Sequence, residues 1–344
     1  MSKSKNIFVT GGTGFLGSYI LRYLLAQGYT NIRALKRASS PMLLVEDIKD
    51  KIEWIEGDLM DLFLLEDVMQ DTDQVYHAAA IVTASKKEEA LMKKINGEGT
   101  ANVVNAANYC NIEKLLHVSS IAVLGKQKKV QHLSEKNHWL PGEFNNAYAI
   151  SKYMGEQEVW RGMAEGLNAV IINPSVIIGS GIWGQGTTGL FDKVHQGLPF
   201  YPIGSTGFVD VRDVARMSIQ LMESDISNQR VIANAVDLTY QNFFTTIAHL
   251  LNKKPPGIKA TPFLSGLAWR ADWLRSKLTG SQHIVTKSRA LLTACSFSFD
   301  NGLSKELLGF EYTPIEETLE ETARQYLESL ENGAGAAVLD LNCL

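Results

Sequence analysis

Cysteine is scarce in this chain, and a surplus of positive charge is missing altogether. Only three cysteines occur in 344 residues, Cys110, Cys295 and Cys343, far apart and without a CxxC pair. That argues against a disulfide framework and a zinc site, and suits reduced thiols in a cytoplasmic protein. No metal site is expected. Lys and Arg number 33 against 37 Asp and Glu, a net charge of −4, so there is no basic field for nucleic acid. No apolar run approaches the roughly 18 residues of a membrane span. Lys3 and Lys5 ahead of an apolar stretch mimic a signal peptide, but the glycines at 11, 12, 14 and 17 and then Arg22 interrupt it. A cytoplasmic protein without membrane or nucleic-acid partner is the expectation. With 45% apolar residues and no low-complexity tract, the chain can bury a real core.

The strongest positive signal lies at the start. Ile7-Phe8-Val9-Thr10 is a short apolar strand that runs into Gly11-Gly12-Thr13-Gly14-Phe15-Leu16-Gly17 and then an apolar helical stretch. Glycines at 11, 14 and 17 have separable tasks: a tight turn, close approach of backbone N–H groups to a pyrophosphate, and close packing of helix on strand. The phosphates would sit at the positive end of the helix dipole. Glycines alone are weak evidence, but strand before and helix after is the context that supports dinucleotide binding.

The rest of the first half alternates strand and helix patterns, which implies a parallel sheet. Strands are expected at 6–10, 31–35, 52–56, 74–78, 114–119, 169–173 and 231–235, with helices at 14–27, 62–69, 87–110, 147–165 and 212–222. The fold class expected is α/β, a Rossmann-type doubly wound parallel sheet with a smaller, discontinuous, mostly helical C-terminal lobe. The sheet domain takes residues 1–178 plus 209–236, and the substrate lobe takes 179–208 plus 237–330. Residues 331–344 are expected to form a loose tail. The glycine-rich 179–189 segment is expected on the substrate side, and Trp269, Trp273 and Leu274 in the core of the small lobe.

A second constellation carries chemistry. Tyr148 and Lys152 stand four apart at a helix start and so share one face. A free tyrosine has a pKa near 10, and a nearby ammonium favours the phenolate and makes it a usable acid/base. Upstream, the strand through His117 and Val118 ends in Ser119-Ser120, where open α/β sheets place their ligands. A serine hydroxyl there can hold a carbonyl oxygen beside the tyrosine.

With these residues the chain closely resembles the extended short-chain dehydrogenase/reductase family, in the NAD-dependent epimerase/dehydratase superfamily. The matches span Thr10–Gly17, Asp58-Leu59, Ala78-Ala79-Ala80, Asn96, Ser119-Ser120, Tyr148/Lys152, Asn173-Pro174-Ser175 and 209–215. The resemblance implies Tyr148 as general acid/base, Lys152 lowering its pKa and binding the nicotinamide ribose, and Ser120 rather than Ser119 as the catalytic hydroxyl. It implies a cofactor site made of Gly11, Thr13, Gly14, Phe15, Leu16, Gly17, Asp58, Leu59, Ala78, Ala79, Ala80, Asn96, Ser119, Pro174, Ser175 and Val176. Asp58 equally suits an N-cap for the next helix, and His77 suits a packed strand end.

Cofactor choice is read from the end of the second strand. An NAD-selective site places an acid about 20 residues past the glycines. Here the count lands on Lys36-Arg37, which suits a 2′-phosphate, so NADP(H) is favoured over NAD(H). The segment Phe208-Val209-Asp210-Val211-Arg212-Asp213 resembles the dihydroflavonol-reductase-like branch, which implies reduction of a small-molecule carbonyl to an alcohol. Arg212 either reaches the substrate or pairs with Asp210 or Asp213. Alternatives are an NAD-retaining sugar-nucleotide epimerase or dehydratase, a hydroxysteroid-type dehydrogenase and, remotely, a non-catalytic NADP-binding protein. A homodimer through helices of the sheet domain is possible.

Overall fold

The computed structural model describes residues 3–83, 85–127, 131–261, 264 and 287–341. Trp269, Trp273, Leu274 and Cys343 lie outside the described residues.

Seven strands form one parallel sheet: β1 (Ile7–Thr10), β2 (Ile32–Lys36), β3 (Glu53–Glu56), β4 (Gln74–His77), β5 (Lys114–Val118), β7 (Ala169–Pro174) and β11 (Gln229–Ala233). The remaining strands named here are short: β6 (His132–Leu133), β8 (Val176–Ile178), β9 (Phe200–Pro202), β10 (Ser205–Asp210) and β12 (Val236–Thr239). The large sheet has the order β11-β7-β5-β4-β1-β2-β3. Each strand expected from the sequence lies within two residues of its observed place. The chain winds outward from β1 to β3 and then returns to lay β4 beside β1. The winding reverses there, and sheets of this kind bind ligands at such a reversal, outside the carboxyl ends of the strands.

The side-chain period of two explains the layering. Ile7 and Val9 pack on one face against Tyr19, Ile20 and Leu24 of α1 (Phe15–Ala26). Phe8 packs on the other face with Leu65 of α2 (Leu62–Met69) and Val103 of α4 (Thr100–Tyr109). A helix α5 (Ala147–Ala164) joins that second face through Val159, and α7 (Val211–Glu223) joins the first through Val214 and Met217. Each large apolar side chain taken fully out of water contributes about 1.5–3 kcal/mol.

The long helix expected over 87–110 is interrupted. A 3-10 turn Lys86–Glu88 leads into α3 (Glu89–Lys93), then a π turn Lys94–Gly99, then α4. The π turn brings Asn96 against α5, where Gly155 leaves room: a Cβ there would stand 2.4 Å from the Asn96 carbonyl oxygen. The sequence pattern has no period for such a one-turn defect.

A separate apolar cluster lies beyond the large sheet. Helices α6 (Gly189–His195), α8 (Tyr240–Leu250) and the C-terminal helix Ile315–Asn332 bury Phe191, Phe243 and Leu319 with Phe208 of β10. Phe208 and Phe243 stack with centroids 4.3 Å apart. Residues 336–341 are packed against the sheet side of the molecule rather than loose. Ala336 bridges Ile182, and Leu339 is buried with its N–H donating to the Tyr19 hydroxyl at 2.8 Å. Val338, Leu339 and Leu341 join the apolar surface beside α1, which a composition reading of the tail underrated. Among the described residues no helix is long and apolar enough to cross a membrane.

Arg212 has a structural place. It is 1% exposed and grips Asp210 through Nε and Nη2, the latter at 2.7 Å. Its Nη1 meets Glu321 of the C-terminal helix at 2.7 Å and the Asp340 carbonyl of the tail at 3.1 Å. Asp213 instead takes Arg216 and Thr313. Arg212→Ala leaves a buried carboxylate without its cation, and we expect a loss of about 3–5 kcal/mol, read as a lower midpoint in urea denaturation.

Candidate active site

Four strand ends and one distant loop enclose a cleft of about 500 Å³ at the point where the winding reverses. Gly11, Thr13, Gly14 and Phe15 line it from the first turn, Lys36 and Arg37 from the end of β2, Asp58 and Leu59 from the end of β3, and Ala79 and Ala80 from the end of β4. The far wall is residues 181–188, which sequence reading assigned to substrate alone. Gly181 lies so close to Phe15 that a Cβ there would stand 3.0 Å from its ring.

The turn is built for an anion. Gly11 has φ +76°, and a Cβ on it would stand 2.6 Å from the Ala79 nitrogen. At Gly17 a Cβ would stand 2.1 Å from the Gly11 carbonyl oxygen, so only glycine lets α1 start this close to β1. The N-cap of α1 is Gly14, with no side chain to satisfy the first-turn N–H groups. Those amides are unpaired within the helix and point outward. A dinucleotide pyrophosphate fits this cradle. The Leu16 side chain is buried, and Gly17 packs against the Gly11 carbonyl, so these two residues face the turn with backbone alone.

At the end of β2, Lys36 pairs with Glu56 of β3 at 3.3 Å, a partner that the sequence spacing does not suggest. Arg37 is exposed beside the cleft, and its guanidinium makes no ion pair among the described residues. Asp58 does not cap α2. That cap is Asp61, whose side chain accepts from the Leu64 N–H at 3.1 Å, while Asp58 accepts from Met60 at 3.0 Å.

The serine, tyrosine and lysine converge where β5 ends. Ser120 is 9% exposed, its hydroxyl accepts from the Ala122 N–H at 3.1 Å, and its influence on the Tyr148 phenol is to lower the phenol's pKa. Ser119 faces the other way, donating to Glu156 at 2.5 Å, so only Ser120 presents a hydroxyl to the tyrosine. Asn146 caps α5 by accepting from the Ala149 N–H at 2.8 Å, which fixes where the helix carrying Tyr148 begins. Lys152 is buried and donates to the Val118 carbonyl at 2.6 Å. Burial lowers its pKa to about 8, against a smaller upward pull from the Glu156 charge. Burial also pushes the Tyr148 phenol up, with the Ser120 hydrogen bond pulling it partly back. The Lys152 ammonium is turned onto Val118, and desolvation is the largest influence on the Tyr148 phenol.

Asn96 does not line the cleft. Its side chain exchanges hydrogen bonds with the backbone of Ile81 at 2.8 and 2.9 Å and donates to Ser151 at 3.0 Å, clamping the loop after β4 to α5. His77 is the packed strand-end residue that the sequence suggests. Its ring joins Thr10 at 2.7 Å and Thr100 at 2.9 Å, and burial lowers its pKa to about 3. Thr100 donates to the Asn96 carbonyl, which leaves His77 Nε2 as the N–H and Nδ1 as the acceptor from Thr10. Ala78, Pro174, Ser175 and Val176 also lie off the cleft lining. Ala78 donates its N–H to the Thr10 carbonyl, and Ser175 donates its N–H to Ala233 at 2.9 Å. Glu156 and the wall 181–188 are the parts that sequence reasoning missed. For Glu156 the available signal was its place four residues after Lys152 on the same helix face.

A doubly wound parallel sheet, with a glycine turn and a cleft at its switch point, defines a Rossmann-type, NAD(P)-binding enzyme. The chain belongs to the NAD dependent epimerase/dehydratase family, whose model matches residues 7–233. It is 35% identical over 210 residues to a protein provisionally named dihydroflavonol 4-reductase from Synechocystis, a match spanning 60% of each chain. It is 25% identical over 338 residues to cinnamoyl-CoA reductase 1 of Petunia hybrida, covering 94% of this chain and 92% of that one. Among solved structures, a dTDP-glucose 4,6-dehydratase from Bacillus anthracis in complex with NAD superposes with a TM-score of 0.76 at 18% identity, covering 95% and 98% of the two chains. That last likeness shows the fold. The reductase relatives and the family together make this an NAD(P)-dependent oxidoreductase of the extended short-chain type.

Proposed function

We propose that the protein reduces the carbonyl of a small ketone or aldehyde to an alcohol with NADPH, using Tyr148 as general acid. This reading is carried by the convergence at the end of β5 of Ser120, which influences the Tyr148 phenol, and Lys152, one helical turn from Tyr148 and bonded to the Val118 carbonyl. Relatives named as reductases support it. The scattered cysteines support a cytoplasmic setting.

Bound NADPH would supply the hydride that reduces the carbonyl carbon. Ser120 and Tyr148 donate to the carbonyl oxygen and stabilise the negative charge that builds on it. Tyr148 then gives that oxygen its proton, and burial, by holding the phenol protonated, keeps the acid loaded. Lys152 stands beside the resulting phenolate as the compensating charge. Arg37, which has no carboxylate partner among the described residues, supports a 2′-phosphate contact and hence NADP(H), with Lys36 beside it.

Three measurements test the reading. Tyr148→Phe should lower turnover on a ketone and aldehyde panel by about 10²–10⁴-fold while NADPH titration stays near wild type; full activity in that variant sinks the role. Arg37→Ala should weaken NADPH binding by about tenfold or more, from loss of a charge-assisted hydrogen bond, and leave NADH unchanged. NAD found locked in the purified protein would move the epimerase or dehydratase alternative to the front. The pH profile is the third. Because burial lowers Lys152 to about 8 while Tyr148 is raised, kcat/KM for reduction should fall as pH rises through about 8, where the free enzyme loses the ammonium. A limb near 10 would assign the loss to another group.

A further inference from the structure

Glu156 is 1% exposed, lines no part of the cleft, and receives two donors on each oxygen. Oε2 accepts from the Ser119 hydroxyl at 2.5 Å and from Asn173 Nδ2 at 2.9 Å. Oε1 accepts from Arg230 Nη1 at 2.9 Å and from Trp160 Nε1 at 3.2 Å. A buried carboxylate needs its lone pairs met, and here the donors come from β5, β7, β11 and α5 itself. The same Asn173 Nδ2 also donates to the Ser120 carbonyl at 3.0 Å. The carboxylate therefore holds Ser119 by its hydroxyl, and through Asn173 it holds Ser120 by its backbone. With Ser119 tied behind the strand, the alternation of side chains leaves the Ser120 hydroxyl facing Tyr148.

Arg230 extends the arrangement. Its Nη2 donates to the Glu135 carbonyl at 2.7 Å and also to the Asn137 carbonyl, in the segment that leads to the cap of α5. One ion pair thus connects the strand end that bears the serine with the approach to the tyrosine.

We propose that Glu156 is a positioning residue of this site, setting Ser120 opposite Tyr148 through Ser119 and Asn173 without touching substrate or cofactor. The proposal rests on the reductase reading above. It goes beyond that reading because it assigns the geometry of Ser120 to a charge buried under the sheet. The Glu156 charge also favours the protonated form of Lys152, an effect in the same direction.

The test is a double-mutant cycle on the full chain with NADPH and the ketone or aldehyde of the panel that wild type turns over fastest. Displacing a reacting group by about 1 Å can lower the rate on the order of 10²-fold. Glu156→Gln should therefore lower kcat by about 10–100-fold while the NADPH Kd stays within about twofold of wild type. In the Ser120→Ala background the same change should cost less than about threefold more, because the residue it positions is already gone. A wild-type kcat in Glu156→Gln, or an equal loss in both backgrounds, overturns the proposal. If Glu156→Gln does not fold, Ser119→Ala carries the same cycle: a drop in kcat that vanishes in the Ser120→Ala background supports the role, and no drop or an additive one overturns it. Ser120→Ala and Tyr148→Phe both turning over at the wild-type rate would defeat the reductase reading and this role with it. Loss in those two beside an intact Glu156→Gln defeats the positioning role alone.

Discussion

A full positive charge buried at the junction of β10 and α7 constrains most of what surrounds it. Arg212 is 1% exposed, and desolvation works against its charge, yet Asp210 and Glu321 outweigh that and raise its pKa above the ordinary value. Such a pair is tolerated only when its hydrogen bonds are met, because the desolvation of both ions must be offset. Here Asp210 also caps α7 at the Arg212 N–H and accepts from Thr318 of the C-terminal helix at 2.7 Å. The requirement therefore ties the sheet domain to the C-terminal helix and the tail at one point. From the tail the chain of contacts continues to Leu339, to the Tyr19 hydroxyl and on to the Ser180 carbonyl at 2.8 Å. Residues 181–188 hang from that anchor and form the far wall of the cleft. A charge more than one element away from the nucleotide turn thus helps decide the width of the site.

Beneath the strand ends the interior is kept electrically quiet. His77 and His117 pack with ring centroids 5.1 Å apart, and burial, reinforced by the Lys152 charge, holds both well below the ordinary histidine pKa. Around Lys152 stand these rings, the Val118 carbonyl and Glu156. The His77 hydrogen bonds to Thr10 and Thr100 couple the end of β1 to the π turn that carries Asn96. These contacts explain why residues with no part in the chemistry are polar and buried there: they fix three strand ends relative to one another.

The sheet was legible because its signals are local. Apolar runs bounded by turns located every strand of the large sheet, and the glycine spacing marked the cleft before any geometry was known. Ser120, Tyr148 and Lys152 were legible for the same reason, as each stands at a strand end or helix start that the pattern defines. What escaped is non-local. Glu156 looks like one more solvent-facing helix charge until Arg230 arrives from β11, 74 residues later. Glu56 meets Lys36 only through the β2–β3 register. The tail has small residues and weak periodicity, and its packing depends on a tyrosine hydroxyl more than 300 residues earlier. The cap at Asp61 rather than Asp58 is a finer miss: both are acceptable capping residues, and only the fold shows that the Asp61 side chain reaches the Leu64 N–H.

The end of β2 shows how such a non-local partner changes an argument about selectivity. Read as sequence, Lys36-Arg37 are equivalent cations, and either can meet a 2′-phosphate. In the fold they differ. Lys36 is already balanced by Glu56, in an exposed pair worth about 0–1 kcal/mol. That pair is neutral overall, so Lys36 offers an incoming phosphate little net positive charge unless it exchanges partners. Arg37 carries no such compensation, and its guanidinium offers the planar fork that grips phosphate through two hydrogen bonds. The case for NADP(H) therefore rests on Arg37, with Lys36 reduced to neutralising a carboxylate that would otherwise favour a free ribose hydroxyl.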